Sequence, residues 1–214
     1  MLNDDESTRG AARADLRFFG RVTAGVSHEI TNIFTIIGEF AGLLNDLVAL
    51  TEKGRPLAPE TVKRAADNIA KQLERGRILV RHMNSFAHGA DEPVREILLT
   101  DLLLNVAALS ARPAALHRTE LRLAFPAYEM KVTTDAFGLR RAVQEGILAA
   151  LEGLNGGVVL LSLERSDDEA AVTVRGGTAA AASLSELSAR LGGRYVEGTA
   201  PDGARLRTIY LKEG

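Results

Sequence analysis

The first half of the chain carries apolar residues at the spacing of long helices. From about residue 15 to about residue 51 the steps between them alternate between three and four, which is the seam of a packed helix. The seam residues are Phe19, Val22, Val26, Ile30, Ile33, Ile37, Phe40, Leu44 and Leu47. The pattern therefore predicts one long helix with a polar opposite face.

A break rich in glycine and proline separates this helix from a second one. Gly54, Pro56 and Pro59 together end one helix and let another begin, and the second should run from about Pro59 to about residue 87. Its apolar stripe is Val62, Ala65, Ile69, Leu73, Val80 and Met83. Two long helices joined by a short loop form an antiparallel hairpin. Two helices cover such stripes poorly, so we expect a homodimer in which a second copy completes a four-helix bundle.

Beyond about residue 91 the pattern changes to a mixture of helices and strands. Such a mixture predicts an α+β sandwich, with one sheet covered by helices. We therefore divide the chain into an N-terminal tail (1–14), a helical hairpin (15–90) and an α+β domain (91–214). The predicted elements are helices at residues 100–109, 136–153 and 184–191, strands at 120–125, 131–134, 158–163 and 171–174, and a closing hairpin of 194–197 and 205–211.

Composition narrows the function classes. The chain has 214 residues, of which 46% are hydrophobic and 25% charged, and its formal net charge is −2. These values are typical of a globular protein and do not favour a nucleic-acid binder, which is usually strongly basic. The chain has no cysteine, so disulfides, thiol catalysis and thiolate metal sites are excluded. The acidic N-terminus is unlike a signal peptide, and the apolar runs are short, so we expect a cytoplasmic protein without a membrane span.

The most informative stretch surrounds His28. His28 lies two residues after Val26 and two before Ile30. Because two helical steps turn by about 200°, its imidazole should point away from the seam. Asn32 and Thr35 lie one and two turns further along that outward face. Imidazole is a competent nucleophile near neutral pH because much of it is unprotonated. The stretch predicts either a nucleophile that a bulky partner can approach or a solvated surface histidine.

Residues 20–32 resemble the H-box of histidine kinases, whose helix carries a His-Glu pair with Asn or Thr four residues after the histidine. The resemblance implies that His28 is the phosphoacceptor, that Glu29 orients or deprotonates its ring, and that Asn32 can position water for phosphatase activity. Many members of the family have proline directly after the Asn, where this chain has Ile33. The difference loses a helix kink but no chemical group.

The remaining histidines and the basic residues of the second helix are weaker candidates. His82, His88 and His117 have no comparable setting, and we assign them no catalytic role. Six basic residues of the second helix predict either a solvated face or a docking surface for an acidic receiver domain. These residues are Lys63, Arg64, Lys71, Arg75, Arg77 and Arg81.

Residues 135–152 resemble the N-box helix of kinase ATPase domains. The family helix carries two asparagines, four residues apart, that help to hold magnesium and nucleotide. The corresponding positions here are Glu145 and Ala149. Ala149 cannot coordinate a ligand, and Glu145 could bind a cation or be a surface or interface residue.

The family's adenine-binding loop, Asp-x-Gly-x-Gly, has no counterpart in this sequence. The predicted strand 171–174 runs into Arg-Gly-Gly-Thr at residues 175–178, and a turn explains these two glycines better. The flexible ATP lid is also missing, because only a short link leads to the helix near Ser185. The resemblance returns at residues 191–193 and at Gly203, which match the family's last helix, glycine turn and hairpin.

A kinase-like scaffold without nucleotide contacts is similar to the histidine phosphotransferases of phosphorelays, of the ChpT type. The resemblance implies partners that are response-regulator receiver domains, magnesium supplied by the receiver, and no bound ATP, since phosphoryl transfer from ATP depends on placing the triphosphate and its metal. Two alternatives remain open. One is a histidine kinase with a divergent ATP site, and the other is a non-catalytic pseudo-kinase that docks receiver domains.

Overall fold

The computed structural model describes the backbone of residues 2–89 and 94–213 and the side chains from residue 9 onward. Its contacts divide the chain into two compact units. One unit is the hairpin Gly20–Asn84, and the other contains the residues up to Phe19 together with those from Ser85. The second unit, here called the α/β unit, thus includes the outer ends of both long helices, which the sequence-based division assigned to the tail (1–14) and the hairpin (15–90).

Two long helices form the hairpin, α1 (Leu2–Glu52) and α2 (Pro59–His88). Shortly after α1 ends, Gly54 adopts a φ of +79°, a left-handed conformation that suits glycine at a helix end. Pro59 begins α2, where its missing N–H leaves no helical hydrogen bond unmade. The side chains buried within the hairpin include Val22, Val26, Ile33, Ala65 and Leu79.

The helix α1 begins much earlier than the sequence pattern indicated. Residues 2–14 of the predicted tail (1–14) belong to α1, which starts at Leu2. Ala11, Ala12 and Ala14 are strong helix formers, and no proline interrupts the stretch. Asp15 further fixes this part of the helix, because its carboxylate accepts a hydrogen bond of 2.6 Å from Arg141 in the same unit.

Some seam positions also differ from the prediction. Phe18 is buried and Phe19 only half-buried, and on α2 Leu79 is buried while Leu73 and Val80 are exposed. A helix in a hairpin packs one row of side chains against its partner, and a neighbouring apolar row can stay uncovered. That uncovered row borders an apolar groove of about 480 Å³, lined in part by Ile30, Ile33, Phe34, Ile37, Leu73 and Val80.

The rest of the chain forms helices and strands that confirm the predicted α+β sandwich. The elements are β1 (Val94–Leu98), α3 (Leu99–Leu109), α4 (Ala111–Leu116), β2 (Thr119–Ala124), β3 (Lys131–Asp135), α5 (Ala136–Leu151), β4 (Gly157–Ser166), β5 (Glu169–Arg175), α6 (Ser183–Arg190), β6 (Arg194–Thr199) and β7 (Arg205–Lys212). Every helix and strand predicted beyond residue 91 is present, with ends that shift by a few residues.

Five strands form one mixed sheet in the order β2-β4-β5-β7-β6, and β1 pairs with β3 separately. Only the β2–β4 pair of the large sheet is parallel. Leu163, Val172 and Ile209 lie side by side on neighbouring strands, and all three are buried. The helix α5 belongs to the same hydrophobic core through Leu139 and Ile147.

Two short elements were not predicted, β1 and α4. In β1, the charged residues Arg95 and Glu96 hide the strand pattern, and the strand exists because it pairs with β3. In α4, Pro113 resembles a helix breaker, but it lies in the first turn, where proline is tolerated.

An aromatic cluster lies within the α/β unit. The Phe18 ring lies 5.4 Å from the Phe86 ring and 5.2 Å from the Phe137 ring, edge to face in both pairs. Phe86 and Phe137 lie 5.6 Å apart, so the three rings are in mutual contact. Such pairs stabilise by about 0.5–1.5 kcal/mol beyond their buried area. The cluster thereby ties the outer ends of α1 and α2 to the start of α5.

The helix α1 contains one stretch, within Arg9–Glu52, that is long and apolar enough to cross a membrane by length and composition. The expectation that no segment could span rested on unbroken apolar runs, and it was too strict. The polar residues of α1 include threonines such as Thr31 and Thr35, which lower the mean hydropathy little. A helix that packs an apolar stripe within a bundle has a similar composition.

Candidate functional site

His28 is exposed on α1, as its spacing from the seam predicts. Its outward face also carries Thr31, Asn32 and Thr35, all exposed. The Thr31 hydroxyl donates to the carbonyl of Ser27 at 2.9 Å, and the Thr35 hydroxyl donates to that of Thr31 at 3.0 Å. The hydroxyls of these threonines are therefore hydrogen-bonded to their own helix. The side chains around the exposed imidazole are small, and they leave space for a bulky partner.

Asn32 is the residue that touches the imidazole. Its amide nitrogen lies 3.2 Å from Nδ1 of His28, one helical turn away. An amide can present its nitrogen as a donor or its oxygen as an acceptor, and either choice selects one imidazole tautomer. Both choices occupy Nδ1 and leave Nε2 of His28 open on the exposed face.

Glu29, the residue next to His28, pairs with the other helix of the hairpin. Its carboxylate accepts a hydrogen bond from the guanidinium of Arg75 on α2, and its side chain is 19% exposed. The sequence placed Glu29 beside His28 but could not single out Arg75 from the six basic residues of α2. The two partners lie 46 residues apart in sequence, and only the hairpin brings them together.

The N-box positions of α5 are occupied by other contacts. Asp135 caps this helix by accepting hydrogen bonds of 3.0 Å from the backbone N–H groups of Phe137 and Gly138. Glu145 accepts hydrogen bonds from Arg141 at 2.9 Å and from the Ser183 hydroxyl at 2.5 Å. Its carboxylate thus joins α5 to α6.

The glycine turn after β5 packs directly on α5. A Cβ atom on Gly177 would lie 2.3 Å from the backbone oxygen of Ala150, and one on Gly176 would lie 2.9 Å from a side-chain carbon of Val159. Ala149, the other N-box position, is half-buried and packs against the hydrophobic core. The backbone of the turn therefore fills the space beside this end of α5.

Arg207 of β7 holds the same turn from the sheet side. Its guanidinium donates to the carbonyl of Gly176 at 2.8 Å and also to that of Ala179. Burial of this side chain lowers the pKa of Arg207. The Arg205 backbone adds two further hydrogen bonds, since its N–H donates to Gly177 at 2.9 Å and its carbonyl accepts from Gly176 at 3.1 Å.

The other histidines lie in separate settings. Burial and the nearby Arg81 lower the pKa of His82. His88 is exposed at the end of α2, and Nδ1 of His117 lies 3.1 Å from the carbonyl oxygen of Leu154. Within residues 2–89 and 94–213, no group of three or more histidines and acids is placed to hold a metal ion.

Comparisons with known proteins identify the fold. No family model matches the chain, and no curated protein matches its sequence. Among solved structures, the cytoplasmic segment of histidine kinase QseC is 21% identical, with a TM-score of 0.51, over 66% of this chain and 95% of that chain. The chain has a histidine-kinase-like fold. The nucleotide-free catalytic domain of histidine kinase ThkA is 11% identical, with a TM-score of 0.50, over 57% of this chain and 97% of that chain.

A longer protein matches across both units. Full-length ShkA, solved in complex with AMPPNP, is 19% identical, with a TM-score of 0.50, over 86% of this chain and 46% of that chain. The resemblance to histidine kinases is therefore confirmed at the level of the fold, as a helical hairpin followed by an ATPase-like α/β domain.

Proposed function

We propose that this chain is a dimeric histidine phosphotransferase of the ChpT type. In this proposal His28 relays a phosphoryl group between aspartates of response-regulator receiver domains in bacterial two-component signalling. The observation that carries the proposal is a contrast within one histidine-kinase-like chain. The imidazole of His28 is open to a partner, whereas the position corresponding to the nucleotide site is filled by the chain's own backbone.

The residues on α5 and beside it do not fit a nucleotide. Glu145 is hydrogen-bonded to Arg141 and Ser183, Ala149 has no polar group, and the turn at Gly177 lies against the backbone of Ala150. Opening this space would require moving the turn, whose Gly176 carbonyl accepts a hydrogen bond from Arg207. The proposal therefore excludes ATP as the phosphoryl donor and assigns the magnesium to the receiver domain.

The proposed chemistry is a pair of reversible transfers. In the first, Nε2 of His28 attacks phosphorus of an aspartyl phosphate, the P–O bond to the aspartate breaks, and the aspartate leaves as a carboxylate. In the second, a carboxylate of another receiver attacks the phosphohistidine and the P–N bond breaks. The protein contributes chiefly an oriented imidazole, which is catalysis by positioning.

Asn32 selects the reactive form of the imidazole in this scheme. Nε2 of the neutral imidazole has a free electron pair only when the proton is on Nδ1. The amide oxygen of Asn32 then accepts a hydrogen bond from Nδ1–H. The 3.2 Å separation from Nδ1 suits either orientation of the amide. Asn32 also occupies the place from which the kinase family positions water, so the proposal includes phosphatase activity at this residue.

The homodimer in the proposal rests on the apolar groove of the hairpin. Phe34 is 65% exposed beside this groove, and Leu73 and Val80 are exposed on the facing helix. A single hairpin leaves this surface in water, and a second hairpin would cover it in a four-helix bundle. The remaining elements of the proposal are a cytoplasmic location, no membrane attachment and no nucleic-acid partner.

Phosphotransfer assays with purified receiver domains test the proposal. A receiver phosphorylated with radioactive phosphate should pass its label to the wild-type protein, and the label should be labile in acid and stable in base. His28→Ala should abolish labelling, whereas the exposed control His88→Ala should not. Label on the His28→Ala protein, or no transfer from any receiver of the source organism, would exclude a phosphotransferase. The second outcome would favour the pseudo-kinase that only docks receivers.

A further inference from the structure

A second polar site lies in the α/β unit, and its lining includes neither His28 nor the N-box positions. Arg95 of β1 and Arg140 of α5 both line a pocket of about 220 Å³. Ser85 lies on its wall as a further hydrogen-bond donor. The sequence analysis did not detect this site, because the two arginines lie on different elements that the fold brings together.

The guanidinium groups in this pocket have nitrogens without an acceptor. Arg140 is only 5% exposed, and its Nε and Nη1 atoms have no hydrogen-bond partner in the described part of the chain. Nε of Arg95 is buried and likewise has no partner among the residues that the structure describes. Buried polar groups in native proteins are almost always hydrogen-bonded, so this pair of arginines indicates a missing acceptor.

The charges around Arg140 also favour a bound anion. Burial and the positive charge of Arg95 lower the pKa of Arg140 to about 10, and the charge of Asp135 opposes this shift. Asp135 does not accept from these atoms, since Nε and Nη1 of Arg140 have no partner among the described residues. Its Oδ1 atom instead caps α5. An anion between the two guanidinium groups would relieve their repulsion and satisfy their free N–H groups.

The first turn of α3 forms another wall of the pocket. Leu98 is the N-cap residue of this helix and provides no side-chain acceptor for its first N–H groups. A helix N-terminus carries a partial positive charge that favours anions. Leu98 and Asp101 both line the pocket, so this end of the helix adds to the field of Arg95 and Arg140.

Carboxylates also lie near the pocket. Glu96 lines it but is paired with Lys131 at 3.2 Å. Asp101 lines it too and Asp135 acts on Arg140 by its charge, but neither supplies an acceptor to the buried Nε and Nη1 atoms of Arg140. Gly89 allows the close approach of Arg140, because a Cβ atom at this position would lie 2.1 Å from Nη1 of Arg140.

We infer that this pocket binds a phosphate-sized oxyanion through Arg95 and Arg140. Two forks of N–H donors suit the tetrahedral oxygens of phosphate, and the pocket volume accommodates one such ion with its remaining water. The inference does not depend on the proposed phosphotransferase activity, since His28 is not part of this pocket.

Calorimetric titration with inorganic phosphate, at ionic strength held constant with sodium chloride, tests this inference. The wild-type protein and the matched control Arg122→Gln, an exposed arginine of β2, should bind phosphate equally. Arg95→Gln and Arg140→Gln should each bind at least about tenfold more weakly, because each removes charge-assisted hydrogen bonds. His28→Ala should bind like the wild type.

Arg95→Gln keeps the test decisive if Arg140→Gln fails to fold, because Arg95 is only partly buried. Phosphate should also raise the melting temperature of the wild type relative to chloride, and this rise should shrink in Arg95→Gln. No binding by the wild type, or undiminished binding by Arg95→Gln, would overturn the inference. Tighter binding of acetate than of phosphate would overturn the assignment to phosphate.

Discussion

On α1, His28 and Asn32 stand in solvent on one face while Phe34 is exposed on another. On α5, Glu145 is bound by two neighbours and the turn at Gly177 is packed onto the helix backbone. The hairpin thus leaves an imidazole and an apolar surface uncovered, whereas in the α/β unit the N-box positions of α5 are in contact with other parts of the chain.

Under the proposed function, this difference means that a fold is retained while the nucleotide site of one unit is filled in. The α/β unit keeps its sheet and its core, because these depend on apolar residues such as Leu163 and Ile147. A ligand site depends on a few polar groups and on empty space, and both can be lost without disturbing the core. The predictions below examine each side of the comparison.

The largest effect should follow from Phe34→Asp in the apolar groove. A carboxylate at this position would be buried without a partner in the dimer, so the dimer dissociation constant should rise by at least about a hundredfold. The hairpin itself should stay folded, because Phe34 is exposed in a single chain. Sedimentation equilibrium measures the change.

The control for this substitution is Leu116→Asp on α4. Leu116 is similarly exposed but lies in the α/β unit, outside the groove. This variant should dimerise like the wild type. A wild-type protein that is monomeric at all accessible concentrations would contradict the proposed four-helix bundle.

A substitution in the filled site should reduce stability. Gly177→Ala places a methyl group against the backbone of Ala150, in a residue with a φ of +53°. Left-handed strain costs about 1–2 kcal/mol and overpacking about 1–3 kcal/mol more. Urea denaturation should therefore show a large loss in the free energy of unfolding.

Gly203→Ala separates the two contributions to that loss. Gly203 also has a positive φ, of +83°, but a Cβ atom there would have no neighbour within 4 Å. Its substitution should cost the strain alone. Equal losses for the two variants would mean that the turn at Gly177 is not packed tightly on α5.

A smaller effect, on the rate of phosphotransfer, should follow from Arg75→Gln in the hairpin. Without Arg75, the Glu29 carboxylate beside His28 loses its neutralising partner and repels an incoming phosphoryl group. Exposed ion pairs contribute up to about 1 kcal/mol, so phosphotransfer should slow by no more than about fivefold. Rapid-quench measurement of the transfer rate tests this, with the exposed Arg77→Gln of the same helix as the control. An unchanged rate would show that the Glu29–Arg75 pair has no part in transfer.

The smallest expected effect concerns nucleotide binding. The wild-type protein should give no heat on titration with Mg-ATP, and the double variant Glu145→Asn, Ala149→Asn should give none either. Restoring the two asparagines does not move the turn at Gly177, which still fills the space beside α5. A micromolar dissociation constant for the wild type would revive the histidine kinase alternative.

The sequence predicted much of the fold because local patterns determine it. The spacing of His28 from Val26 and Ile30 predicted the outward direction of the imidazole, and Gly54 with Pro56 and Pro59 marked the break between the two long helices. These features depend on residues within one or two turns of each other, where backbone geometry alone decides which side chains share a face.

Contacts between distant residues were not predictable in this way. The Glu29–Arg75 pair joins two helices, and the Arg95–Arg140 pocket joins a short strand to α5. In the same way Phe18, rather than Phe19, is buried because its ring packs against those of Phe86 and Phe137. Each of these contacts depends on tertiary packing, which the pattern of residues along one helix does not predict.

The three-ring cluster of Phe18, Phe86 and Phe137 also determines which fragments of the chain should be stable. A fragment that starts at residue 91 would keep Phe137 but lose both of its aromatic neighbours, and with them the Asp15 carboxylate bound to Arg141. Such a fragment should expose an apolar patch at the start of α5 and aggregate. A fragment that spans the two long helices and stops near residue 90 would leave Phe18 and Phe86 uncovered instead. The ends of the helices and the sheet therefore belong to one compact unit, although they lie far apart in the sequence.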